Sequence, residues 1–155
     1  MSTAKMVIAF AATAASFSSS AQSTTAQLDL RGTVALNCTI SVSPTAKATS
    51  LNLQVGEQNQ TIGTVTEDCN SGTGYTVSLT SQNGGQLRSG DANAPLTSYT
   101  ASYDDATGSI ASGLTATRNG AFFGRTGNLL INIPANAQAI AGNYSDSISL
   151  VIAAK

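Results

Sequence analysis

Two cysteines, Cys38 and Cys69, and two adjacent acidic pairs, Glu67-Asp68 and Asp104-Asp105, are the residues of this chain whose types and spacing could do chemistry. Histidine is absent, so general-base or metal-ligand duty would fall to the carboxylates. Neighbours in a strand point to opposite faces, and Glu67-Asp68 converges on one ligand only if the strand bulges. Asp104-Asp105 heads "DDATG", which reads as a turn where Asp accepts local backbone hydrogen bonds. Two thiols with neither a His nor a CxxC spacing do not complete a tetrahedral zinc shell. Ser and Thr have no imidazole to activate them, there is no P-loop or GxSxG motif, and "GTG" at Gly72 to Gly74 is a loop rather than a phosphate cradle. Asn-x-Ser/Thr triplets at Asn37, Asn59 and Asn143 read as incidental. The expectation is no catalytic residue, no metal and no cofactor: not an enzyme.

The cysteines read instead as a disulfide, because an even count in an exported chain favours bridging, and the bridge is expected to tie the first strand to an early strand of the second sheet. Closing a loop of roughly thirty residues is worth about 3 to 4 kcal/mol in the chain-entropy model. Export is read from the first residues: Lys5 supplies a positive start, "MVIAFAATAASF" is an apolar stretch too short to anchor in a bilayer, and "SSA" offers small residues for cleavage after Ala21. Residues 1–21 are therefore expected to be a signal peptide. Only 10% of the 155 residues are charged and the formal net charge is -1. The few basic residues are scattered (Arg31, Lys47, Arg88, Arg118, Arg125, Lys155), whereas a phosphate-binding surface needs them clustered, so no nucleic-acid partner is expected.

The elements that must carry these residues have a period of two. "TSLNLQVG" places Leu51, Leu53 and Val55 on one face, "GYTVSLTS" Tyr75, Val77 and Leu79, and "TSYTASYDD" Tyr99, Ala101 and Tyr103. "NLLINIP" does the same with Leu129, Ile131 and Ile133, and "YSDSISLVIAAK" with Ile148, Leu150 and Ile152. Turn signals such as "QNGG", "SGDANAP" and "RNG" separate them. No sustained i, i+3, i+4 stripe occurs, so the expectation is one all-β domain of seven or so strands, folded as a sandwich.

One stretch is too long for that plan. "AQLDLRGTVALNCTISV", 26–42, alternates from Leu28 to Val42, and a strand of that length would run about 50 Å at 3.3 Å per residue. Either the chain bends at Gly32 within a self-sufficient domain, or the first half buries its apolar face in something else.

Within it, "LDLRGTVALNC" resembles the N-terminal extension and first strand of chaperone–usher pilins. "AGNYSDSISLVIAAK" is similar to the closing strand of their archaic, spore coat U branch, and "CNSGTGYTVSL" to that branch's second cysteine, loop and strand. The resemblance implies an immunoglobulin-like sandwich lacking its last strand, with an apolar groove filled first by a periplasmic chaperone and then, at an outer-membrane usher, by the extension of a neighbouring copy or related pilin. On that reading 22–33 is a donor-strand extension and 34–155 the pilin domain. Leu28, Leu30, Gly32 and Val34 form the donor strand, Ile148, Leu150 and Ile152 the acceptor-groove strand, while Leu36, Cys38, Ile40 and Val42 serve the home core. The protein is then a shaft subunit of a cell-surface fimbria used for adhesion or biofilm formation: the donor-like extension and a chain that stops directly after its last strand favour the polymer, and the absence of a second domain favours a repeating shaft role. The other reading is a self-contained secreted β-sandwich that coats a surface or binds a glycan.

Overall fold

The computed structural model describes residues 22–91 and 93–155; the signal-peptide reading of 1–21 lies outside them. Eleven strands occur among the described residues: β1 (Cys38–Pro44), β2 (Glu57–Cys69), β3 (Tyr75–Ser81), β4 (Gln86–Ser89), β5 (Thr97–Ser98), β6 (Thr100–Tyr103), β7 (Ala106–Ser109), β8 (Leu114–Arg118), β9 (Phe122–Ile133), β10 (Tyr144–Ser145) and β11 (Ile148–Ala154). All pairings are antiparallel. The larger sheet has the order β1-β2-β9-β6-β7, and the opposing sheet β11-β3-β8 is supplemented by a small β10-β4-β5 sheet. The fold is an all-β sandwich.

Alternation builds it, because each strand can turn one apolar face inward. Val65 on β2, Ala101 and Tyr103 on β6, and Leu129, Ile131 and Ile133 on β9 meet Tyr75, Val77 and Leu79 on β3 and Ala116 on β8 in one buried cluster. The turn into β3 needs Gly74: its φ is 91°, and a Cβ there would lie 2.1 Å from the Arg118 carbonyl oxygen.

Four sequence expectations change. The Leu51, Leu53 and Val55 segment is a loop after a short 3-10 turn (Ala46–Thr49), with Leu51 and Leu53 packed against the core and Val55 exposed. The long bent strand through Gly32 that the self-contained alternative calls for is not formed, since β1 begins only at Cys38. Leu36 and Val42 do not enter the home core and are exposed, while Cys38 and Ile40 are half-buried against it. β2, the longest strand, is absent from the sequence reading, because its inward positions include Gly63 and Glu67, which hide the apolar period.

Candidate assembly site

β1 and β11 are edge strands of opposing sheets, and among the described residues each carries a ladder on one side only. Between them the sandwich is open as a groove of about 420 Å³, walled by Val42 and Pro44 of β1 and Ile148 and Leu150 of β11, with Leu129 and Ile131 of β9 among the residues beneath. Ile148, Leu150 and Ile152 share the inward face of β11, half-buried against the core, and Val151 on the outward face is exposed. β11 has no Pro and no charged side chain within its length. Natural edge strands usually carry such residues to prevent pairing, so this edge is a template for another strand.

Polar groups brace one end of the groove. Asp146, just before β11, accepts hydrogen bonds from the Tyr99 hydroxyl (2.7 Å), the Ser81 hydroxyl and the backbone N–H groups of Asn83 and Ser147. Burial pushes its carboxyl up, but these donors outweigh burial and hold it below its ordinary range. The Tyr144 hydroxyl donates to the Ile140 carbonyl at 2.9 Å. The "AGNYSD" segment therefore positions the start of β11.

The proposed donor residues lie in an unpaired segment. Residues 22–37 form no strand, and Leu28, Leu30 and Val34 are 81%, 85% and 89% exposed. A Cβ on Gly32 would have nothing within 4 Å. The path into β1 is held by Asn70: its Oδ1 accepts from the Asn37 N–H at 2.7 Å, its Nδ2 donates to the Ala35 carbonyl at 2.8 Å, and its backbone N–H donates to the Asn37 carbonyl at 3.1 Å. Cys38 and Cys69 stand opposite one another in the β1–β2 ladder and are disulfide-bonded. They tie neighbouring strands of one sheet, not two sheets as the sequence reading had it.

Glu67 and Asp104, one member of each acidic pair, are engaged by the fold itself. Glu67 is fully buried and accepts from the hydroxyls of Tyr75 and Tyr103 and from Arg118, with Nη2 2.8 Å from Oε1. Burial raises its carboxyl, yet Arg118 and the two tyrosines outweigh that and hold it below the usual range. Burial and the bond to Glu67 push Tyr75 up to about 12 and Tyr103 further. Asp104 occupies the β6–β7 turn at φ 52° and pairs with Arg118 and Arg125 rather than with its own backbone. Two of the basic residues read as scattered are thus gathered around two of the carboxylates. No group of three His, Cys, Asp or Glu side chains is placed to hold a metal among the described residues.

No protein-family model and no curated protein matches the chain. Among solved structures, the crystal structure of HdaB, the minor tip subunit of the Escherichia coli Hda pilus, is similar: 16% identical, covering 74% of this chain and 79% of that one, with a TM-score of 0.42.

Proposed function

We propose that the protein is a structural subunit of an exported fimbria of the chaperone–usher kind, polymerised by insertion of one copy's 22–33 extension and Val34 into the β1–β11 groove of the next. The observation that carries this reading is the pairing, in one chain, of an open apolar edge at β11 with an exposed segment whose Leu28, Leu30 and Val34 repeat at the two-residue period of a strand. Each aliphatic side chain taken fully out of water contributes about 1.5 to 3 kcal/mol, and backbone hydrogen bonds along both edges add direction. Because every copy holds both parts, each can receive and donate, which suits a repeating shaft subunit. A chaperone strand would occupy the same groove before assembly, and the fibre would serve attachment or biofilm formation.

The test replaces both Leu28 and Leu30 with Asp. Desolvating two unpaired carboxylates in an apolar slot costs at least several kcal/mol, so fibres are expected to vanish while the subunit stays folded and disulfide-bonded. Gln27→Asp with Arg31→Asp, on the alternate positions, is expected to leave fibres intact. If the leucine variant polymerises like the native chain, the groove is not filled by this segment.

A further inference from the structure

β9 opens with two aromatic side chains, of which the interior covers Phe122 in part and leaves Phe123 largely uncovered. Between Glu67↔Arg125 and Cys69↔Phe122 the β2–β9 ladder slips, setting Phe123 and Gly124 against Asp68 alone. Gly124 takes φ 63° and its N–H donates to Asp68 Oδ1 at 2.7 Å. Such a bulge re-aims a side chain: Phe123 is 75% exposed, and Phe122, edge-on to Tyr75, is partly so. Cys38, Cys69 and Phe122 form one row across the sheet, so the phenylalanines stand at the end of the domain where Asn70 holds Asn37. At the other end, beyond Pro44, the segments Ala48–Gln54 and Ala139–Tyr144 border a cleft of about 710 Å³. It shares Leu51, Leu87 and Tyr144 with the groove and adds Leu53 and Ile140.

We infer that the Phe122–Phe123 end of one copy seats in this cleft of the preceding copy in the fibre, an inference that rests on the assembly proposed above. Strand direction comes first. β1 leads from the Phe122 end towards the cleft and β11 returns, its Lys155 end bonded to Gly74 and Arg118. A strand inserted between them parallel to β11 would emerge at the Phe122 end, where the receiving copy's own extension already leaves, and that one pole would have to meet two neighbours. Antiparallel to β11, and so parallel to β1, it emerges at the cleft and each pole meets one neighbour, as head-to-tail growth requires.

Tether length then brings the poles together. From Val34, the last donor position, to Asn37, which Asn70 holds, is three residue steps, at most about 11 Å. The domain that follows must therefore abut the cleft its extension leaves, and its exposed apolar side chains at that pole are Leu36, Phe122 and Phe123. Apolar knobs on one pole meet, on the other, a cleft in which Leu51, Leu53, Leu87 and Ile140 stand among polar neighbours; the occupant is a second copy of this chain.

Fibres of a Phe123→Cys, Ile140→Cys double variant test this. Cys38 and Cys69 are bridged and no other free thiol is present, so oxidation followed by heating in denaturant without reductant is expected to leave a covalent ladder, with either single variant falling to monomers. Phe123→Ser fibres are expected to form but bend, their persistence length in electron micrographs falling several-fold. Either the ladder or the loss of stiffness supports the docking. If neither is seen while native fibres form and the Leu28→Asp, Leu30→Asp chain forms none, the docking is wrong and the donor-strand assembly stands. Native chains that fail to polymerise, or a leucine variant that polymerises normally, overturn both.

Discussion

The Glu67 carboxylate on β2 and the Arg118 guanidinium on β8 meet inside the sandwich, 2.8 Å apart and both buried, so an ion pair links the two opposing sheets through the core. With Tyr75 and Tyr103 donating to the same carboxylate, its buried polar atoms are satisfied. A pair so placed adds little over an apolar core of the same shape, but breaking it is costly.

Glu67→Ala is therefore expected to destabilise the subunit by about 3 to 5 kcal/mol, since it strands a buried guanidinium and two hydroxyls. Denaturant titration of the monomeric subunit measures this. A loss under about 1 kcal/mol would show that water or Asp104 replaces the carboxylate.

Stability should fall at both ends of the pH scale, for different groups. Glu67 and Asp146 are held below their ordinary range when folded, so their contribution is complete above the unfolded carboxylate range near pH 4 and is lost as pH falls through the folded values. Tyr75, Tyr99 and Tyr103 are raised, mainly by burial, so their contribution is complete below about pH 10 and is lost as pH rises further. The unfolding midpoint should be flat from about pH 5 to 9. Glu67→Gln should weaken the acid limb, and an unchanged acid limb would assign it to other carboxylates.

Removing the disulfide by Cys38→Ser with Cys69→Ser should cost about 3 to 4 kcal/mol, set by the 31-residue separation of the bridged residues. Secondary structure by circular dichroism should persist, because β1 keeps its ladder with β2 from Thr39 to Pro44. Loss of all structure would mean that the bridge, rather than the core, holds the domain.

Leu150→Arg should separate receiving from donating. The guanidinium would stand in the groove, so this copy no longer accepts a strand, while its own 22–33 segment is unaltered. Added below equimolar amounts to native subunits, it should shorten fibres by ending growth. Mixed with the Leu28→Asp, Leu30→Asp chain it should stop at dimers, a result that sizing and electron microscopy read directly. Full-length fibres in either mixture would place the acceptor elsewhere.

Strands whose inward positions are all apolar were legible in the amino-acid order. Tyr75, Val77 and Leu79, and Leu129, Ile131 and Ile133, alternate in sequence and line the core in the fold, because the two-residue period follows from backbone geometry alone. The all-β class came from the same local signals, and the bridged cysteine pair from an even count in a chain read as exported. The period also marked Leu28 to Val42 as too regular for one domain, but it could not tell where pairing starts; the ladder with β2 and the grip of Asn70 place β1 at Cys38. β2 was hidden because a glycine and a glutamate occupy inward sites, and Glu67 became an acceptable core residue only when Arg118, 51 positions away, reached it from the other sheet. Arg118 and Arg125 read as scattered charges, and Asp104 as a turn residue bonded to its own backbone, for the same reason. Alternation along a strand is set by neighbours in sequence; partnering of buried charge, the open edge of β11 and the bulge that turns out Phe123 depend on which strands lie side by side, and only the tertiary structure decided that.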